Sequence, residues 1–302
     1  MSSSAVTPGG SSQRGAIFLA FLISSSAVIS LFGAVTESTL LLTARSRLFN
    51  GAETALLDAA NLYTTTTNQT TITETLKNDY CTKNSLVPAN TSLNFSQIAN
   101  NMLILTTTKS VPFFFLPSKT MTLTATMAAE IPQPAGSLGN LAPLVIQQSS
   151  WTEGASYTLK EGAGDGTTGN YGALDLGTGA SAFENALKYG YNGTLAINQS
   201  VATKTGNMAG PTGDGISFRL NDSNPANDIV LVVVTNSAWP NGASAPITVI
   251  GFAAFKVSSV VTSGSHAGEI TGTFVNTKSS YATATPGAPD YGVYTRPKLI
   301  YY

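Results

Sequence analysis

Few side chains in this sequence have the type and spacing to do chemistry. One histidine, His266, sits in the loop-like run Thr262-Ser-Gly-Ser-His-Ala-Gly268, so any His-based triad would have to use it, and His-rich metal sites are excluded. One cysteine, Cys81, excludes an intrachain disulfide, and no C-x-x-C pair is present to hold a metal or run thiol exchange. Asp165, Asp175, Asp214, Asp222 and Asp228 fall in Gly/Asn-rich turns where carboxylates could hold calcium. They match neither an EF-hand loop nor a calcium-binding repeat, and capping of Asx-turns accounts for them. Glu153 and Glu161 could serve as paired carboxylates, yet nothing around them marks a pocket. The glycines from Gly162 to Gly172 lack the Lys-Ser/Thr and the strand-to-helix context of a phosphate loop. Neither a G-x-S-x-G elbow nor an H-E-x-x-H pair occurs. The expectation is a non-enzymatic chain with no cofactor and no metal.

The surroundings of these residues are unusual in charge. Of 302 residues only 15 are Lys or Arg and 16 Asp or Glu, which is 10% of the chain against about 25% in ordinary soluble proteins. Thr, Ser, Asn and Gly fill the deficit, giving an uncharged polar surface of extracytoplasmic character. A net charge of −1 without a Lys/Arg cluster excludes nucleic acid as a partner. N-x-S/T sequons begin at Asn68, Asn90, Asn94, Asn192, Asn198 and Asn221.

Residues 1–13 read as a disordered cytoplasmic tail. The pattern then changes abruptly: Ala16–Ala34 is 19 residues without a charge, nearly matching a hydrocarbon core of about 30 Å at about 1.5 Å per helical residue. A cleavable secretory signal is the rival reading, but the run exceeds a signal core and Phe32 stands where a small residue is wanted. The helix is expected to continue past the membrane to 62, since no proline intervenes and Leu41, Leu48, Ala52, Ala55, Ala59 and Leu62 recur in a heptad-like stripe. That stripe either covers the chain's own later domain or bundles with partner helices. With Glu37, just past the apolar span, it forms the candidate helix-helix interface.

Beyond Tyr63 the periodicity is that of strands. Strands are expected at 102–108, 121–127, 156–160, 172–176, 229–235, 246–257 and 269–275, with Ile229 to Val234 apolar on both faces and therefore doubly covered. Ala182 to Tyr189 is the one helix expected among them, and the glycine density elsewhere argues against others. The organisation reads as a linker and first β region at 63–130, a Gly-rich β domain at 131–280 and an extended C-terminal tail at 281–302. The fold class is a membrane-anchored α+β chain: one long N-terminal transmembrane and juxtamembrane helix, then a β-rich extracytoplasmic domain.

Arg14-Gly15 before the apolar run, Glu37 after it, and Ala44-Arg-Ser-Arg-Leu-Phe-Asn-Gly-Ala-Glu-Thr-Ala-Leu-Leu-Asp-Ala-Ala60 together resemble the N-terminal segment of TadE/TadG-like proteins of tight-adherence (Tad/Flp) pilus systems. Thr106 to Phe115 with Thr122 to Ala128, Leu141 to Ile146, Gly169 to Leu176, Leu187 to Gly190 and Thr205 to Pro211 are similar, in that order, to later parts of the longer members. Ala20 stands at the fifth position after Gly15, where processed pseudopilins carry Glu, so the resemblance points to the uncleaved, TadG-like side. It implies a single-pass membrane protein, N-terminus cytoplasmic and main domain outside. It also implies a minor pseudopilin-like role in assembling or anchoring the pilus, with other pseudopilins, the fibre and the assembly platform as partners. The alternative is a membrane-anchored adhesin or sugar-binding domain using Trp151, Tyr157, Tyr171, Tyr189 and Tyr191.

Overall fold

The computed structural model describes residues 10–63, 68–95, 101–113, 118–148, 152–161, 170–177, 179–204, 208–237 and 246–300, with backbone alone for 10–20, 160–161 and 170–171. One helix, α1 (Gly10–Leu62), dominates the N-terminal part. It begins four residues before the expected end of the tail at 13, because extending an existing helix adds a hydrogen bond per residue while nucleation is already complete. The chain divides into two compact units, Met1–Glu130 with Lys298–Tyr302, and Ile131–Pro297.

In the first unit, α1 is followed by α2 (Gln69–Thr75), a π-helical turn (Leu76–Tyr80) and α3 (Cys81–Lys83), then a 3-10 turn (Pro88–Asn90). Asn68 caps α2 by accepting a hydrogen bond from the Thr70 amide at 2.8 Å. The strands are β1 (Thr91–Asn94), β2 (Met102–Pro112) and β3 (Thr120–Glu130). β2 and β3 form a long antiparallel hairpin, in register from Met102↔Glu130 to Pro112↔Thr120. Thr alternating with apolar residues turns Leu103, Leu105, Ala125, Ala128 and Ala129 into the interior. Thr91 and Thr107, both buried, satisfy each other at 2.8 Å.

In the second unit, β4 (Ala135–Gly139), β5 (Leu144–Gln147), β6 (Ser156–Glu161) and β7 (Asn170–Ala173) precede α4 (Gly179–Tyr189). Then come β8 (Thr194–Ala196), β9 (Ser200–Ala202), α5 (Ala209–Leu220), β10 (Ile229–Thr235), β11 (Pro246–Val260) and β12 (Ile270–Val275). Six strands pair in the closed order β10-β5-β7-β6-β12-β11-β10, and β9 extends the far end of β11. Closure leaves those six without a free edge among themselves. β10 is buried on both faces: Val230, Val232 and Val234 join one core with Phe255 and Ala253, and Val233 joins the other with Phe252 and Ala254.

Two expectations give way here. α5 was not foreseen, because Ala209-Gly-Pro-Thr-Gly-Asp-Gly215 reads as a breaker run. Pro211 lies in the first turn, where no intrahelical amide is needed, and a Cβ on Gly215 would come within 2.6 Å of the Leu187 Cβ of α4. Close approach of two helices sets that glycine, not flexibility. Residues 281–302, expected as a surface tail, instead carry strands: β13 (Thr277–Ser279) precedes them, and β14 (Ala282–Ala284), β15 (Val293–Thr295) and β16 (Lys298–Ile300) fall within them. Val293 and Tyr294 are buried, and β16 pairs with β3 in the sheet of the first unit, in the order β1-β2-β3-β16. Each strand is three residues long, too short for any periodicity to announce.

Candidate functional site

α1 has two halves with opposite surroundings. From Phe21 to Leu42 its large apolar side chains stand in the open; Phe21, Leu31 and Phe32 are each more than 65% exposed. The polar groups in this stretch are closed on the helix itself. The hydroxyls of Ser24, Ser25, Ser26, Ser30, Thr36, Ser38 and Thr39 each donate to a carbonyl three or four residues back, at 2.8–3.0 Å. A segment arranged this way carries hydroxyls without needing water to satisfy them. It is the one helix among the described residues long and apolar enough to cross a membrane.

From Leu48 onward the same helix is packed. Leu48, Ala52, Ala55 and Ala59 of the candidate stripe are buried, and so are Leu56 and Ala60, which a strict seven-residue repeat leaves out. They meet β2, β3, α2 and the π-turn, whose Ile72 and Leu76 are also buried. A Cβ on Gly51 would lie 2.6 Å from the Asn84 carbonyl oxygen, so the absence of a side chain lets the segment after α3 cross the helix. Leu62 is half-buried at the end. The stripe from Leu48 to Ala59 is therefore occupied by the chain's own sheet, and of the candidate interface Glu37 and Leu41 remain partly accessible. The broader 48/52/55/56/59/60 face was present in the sequence as the ordinary pattern of a helix lying on a core.

The candidate chemical residues are dispersed. His266, 65% exposed, pairs through Nδ1 with Glu269 Oε1 at 2.7 Å. Glu153 accepts from Asn276 Nδ2 at 2.8 Å, Asp175 pairs with Lys204 at 3.0 Å, and Asp222 accepts from the Asn224 amide at 3.0 Å in an Asx-turn. Asp165 lies outside the described residues, as does the side chain of Glu161. Among the described residues no three of His, Cys, Asp and Glu gather in one place. Cys81 is buried, and desolvation pushes its thiol above the ordinary value, against a smaller opposing effect of Thr91.

The aromatics proposed for an adhesive face do not converge. Tyr157 packs edge-on against Phe274 and its hydroxyl accepts from the Thr152 amide at 2.7 Å. Tyr191 packs against the opposite core, and Tyr189 is exposed beside Phe218 at 5.2 Å. Trp151 and the Tyr171 side chain lie outside the described residues. One buried cation is structural: the Arg219 guanidinium donates to the carbonyls of Leu187, Asn227 and Ile229, joining the ends of α4 and α5 to the start of β10, and burial lowers its pKa. No family model, curated protein or solved structure matches the chain.

Proposed function

We propose that this chain is a single-pass membrane protein whose apolar half-helix lies in lipid and whose two folded units stand outside. The observation that carries this is the exposure of α1 between Phe21 and Leu42. Ten large apolar side chains there are between 45% and 69% exposed. In water that forgoes on the order of 10 kcal/mol of apolar burial, and a patch of this size marks a lipid or protein interface. The internally bonded hydroxyls favour lipid over water. The large uncharged polar remainder favours an external location, with the N-terminus cytoplasmic.

Its role, on the resemblance of residues 14–60, is that of a non-enzymatic, minor pseudopilin-like component in assembly or anchoring of a Tad/Flp-type pilus. Glu37 and Leu41, rather than the buried stripe, are the positions left to meet other helices of the apparatus. The test is deletion of the coding sequence in the producing cell, with complementation by the full chain or by residues 63–302 behind a cleavable signal, and surface fibres counted by electron microscopy. Fibres lost and restored by the anchored form alone support the assembly role. Normal fibres in the deletion strain overturn it and leave a membrane-anchored surface domain with another task.

A further inference from the structure

We propose that the tip of the β2–β3 hairpin is a second membrane contact, a site where the first unit seats on anionic phospholipid beside α1. The inference rests on the membrane reading of α1 and specifies what its exit point does. Two open grooves flank the helix where its exposed half ends. One, of about 480 Å³, has Leu40 and Ala44 of α1 facing Val111 and Phe113, with Arg47 and Lys109 at its rim. The other, of about 350 Å³, has Leu42 and Phe49 facing Met121 and Leu123, with Arg45 beside them. Arg45 lies over the Phe49 ring, 5.4 Å from its centroid.

Depth, polarity and charge agree on the occupant. The 22 residues from Phe21 to Leu42 span about 33 Å as a helix, against a hydrocarbon core of about 30 Å. Leu40 and Leu42 therefore reach the interface, and Arg45 and Arg47 fall at headgroup level. Pro112, Met121 and Leu42 are exposed, so apolar surface continues from the helix onto the hairpin. Arg45, Arg47, Lys109 and Lys119 ring this end, while β2 and β3 carry no acid before Glu130 at the opposite end of the hairpin and α1 supplies Glu37 alone between Phe21 and Phe49. An apolar floor with a cationic rim at that depth suits an acyl chain and its phosphate; a free anion would leave the floor unused.

The test uses the full chain with Cys81→Ala and Met121→Cys, the new thiol carrying a polarity-sensitive fluorophore. It is reconstituted into phosphatidylcholine vesicles with or without phosphatidylglycerol. The expected result is a blue-shifted emission, quenched by headgroup-level nitroxide lipid, that requires phosphatidylglycerol and falls with salt. Arg47→Gln and Lys109→Gln should each weaken that response roughly fivefold while the chain stays integrated. Phe113→Ser should weaken it without altering charge. A fluorophore that remains water-exposed in both vesicles, on an integrated chain, overturns the lipid site and leaves the membrane reading standing. A shift that follows protein density and ignores lipid charge assigns the grooves to a second copy and also overturns it. Failure of the chain to integrate overturns the membrane reading itself.

Discussion

The two halves of α1 have similar helical geometry and similar apolar content, and they meet opposite fates. In the C-terminal half the apolar residues are mostly alanine with Leu48 and Leu56, confined to one face, and a sheet of Thr-alternating strands lies against them. In the N-terminal half Phe, Ile, Leu and Val point all round the axis, and no element of the chain covers them. A one-sided stripe of small residues suits close packing on a sheet; an all-round apolar surface has no inside to turn to and requires an apolar solvent. The same helix thus changes environment between Leu42 and Leu48, where the arginines Arg45 and Arg47 lie.

The sharpest way to break this contrast is to place the same charge in each half. Leu56→Asp should unfold the first unit, because an unpaired carboxylate in a fully buried position costs more than the roughly 2–5 kcal/mol of simple truncation. Protease resistance and circular dichroism would report it. Leu31→Asp should leave that unit folded and lower membrane retention, in line with an insertion penalty of about 2.5–3.5 kcal/mol. If both substitutions unfold the first unit equally, the contrast is wrong.

Smaller changes sharpen it. Gly51→Ala should cost about 1–3 kcal/mol in the thermal unfolding of the first unit, since its Cβ would press on the Asn84 carbonyl and the chain there must shift. Ser25→Ala, whose hydroxyl bonds only its own helix at 3.0 Å, should change stability by less than about 0.5 kcal/mol. Smallest is an alkaline effect. Burial raises the Cys81 thiol and the Tyr80 phenol, the latter helped by Asp58. Both favour the protonated form when folded, so their contribution is complete below the ordinary thiol and phenol values and declines as pH rises through the raised ones. Cys81→Ala should flatten the first part of that decline in pH-dependent denaturation. Native Cys81 should also react slowly with alkylating reagents at neutral pH.

How much of this was legible in the sequence depended on local strength of pattern. The apolar half of α1, the hairpin of alternating Thr, and β10 with β11 carry long or all-apolar signals and stand out without tertiary information. α5 was hidden because Gly213 and Gly215 serve packing against neighbours and not local conformation. β13 to β16 were hidden because three-residue strands acquire their geometry from the partner strand. Among the site residues, Leu48, Ala52, Ala55 and Ala59 were legible as an interface, while the occupant of that interface was not: a stripe of Ala and Leu reads alike whether it faces a neighbouring helix or the chain's own sheet. The buried neighbours Leu56 and Ala60 supply the clue, since they widen the stripe beyond a coiled-coil seam. The cations at the hairpin tip were individually unremarkable and became a group only when Lys109 was brought beside Arg47.

The most direct test of the central claim is the intact mass of the protein recovered from membranes after alkaline carbonate washing. An integrated half-helix predicts that the chain stays in the membrane pellet and retains the residues through Leu42. A chain released into the supernatant, or one recovered without the segment before about residue 35 as a cleaved signal would leave it, would contradict the account.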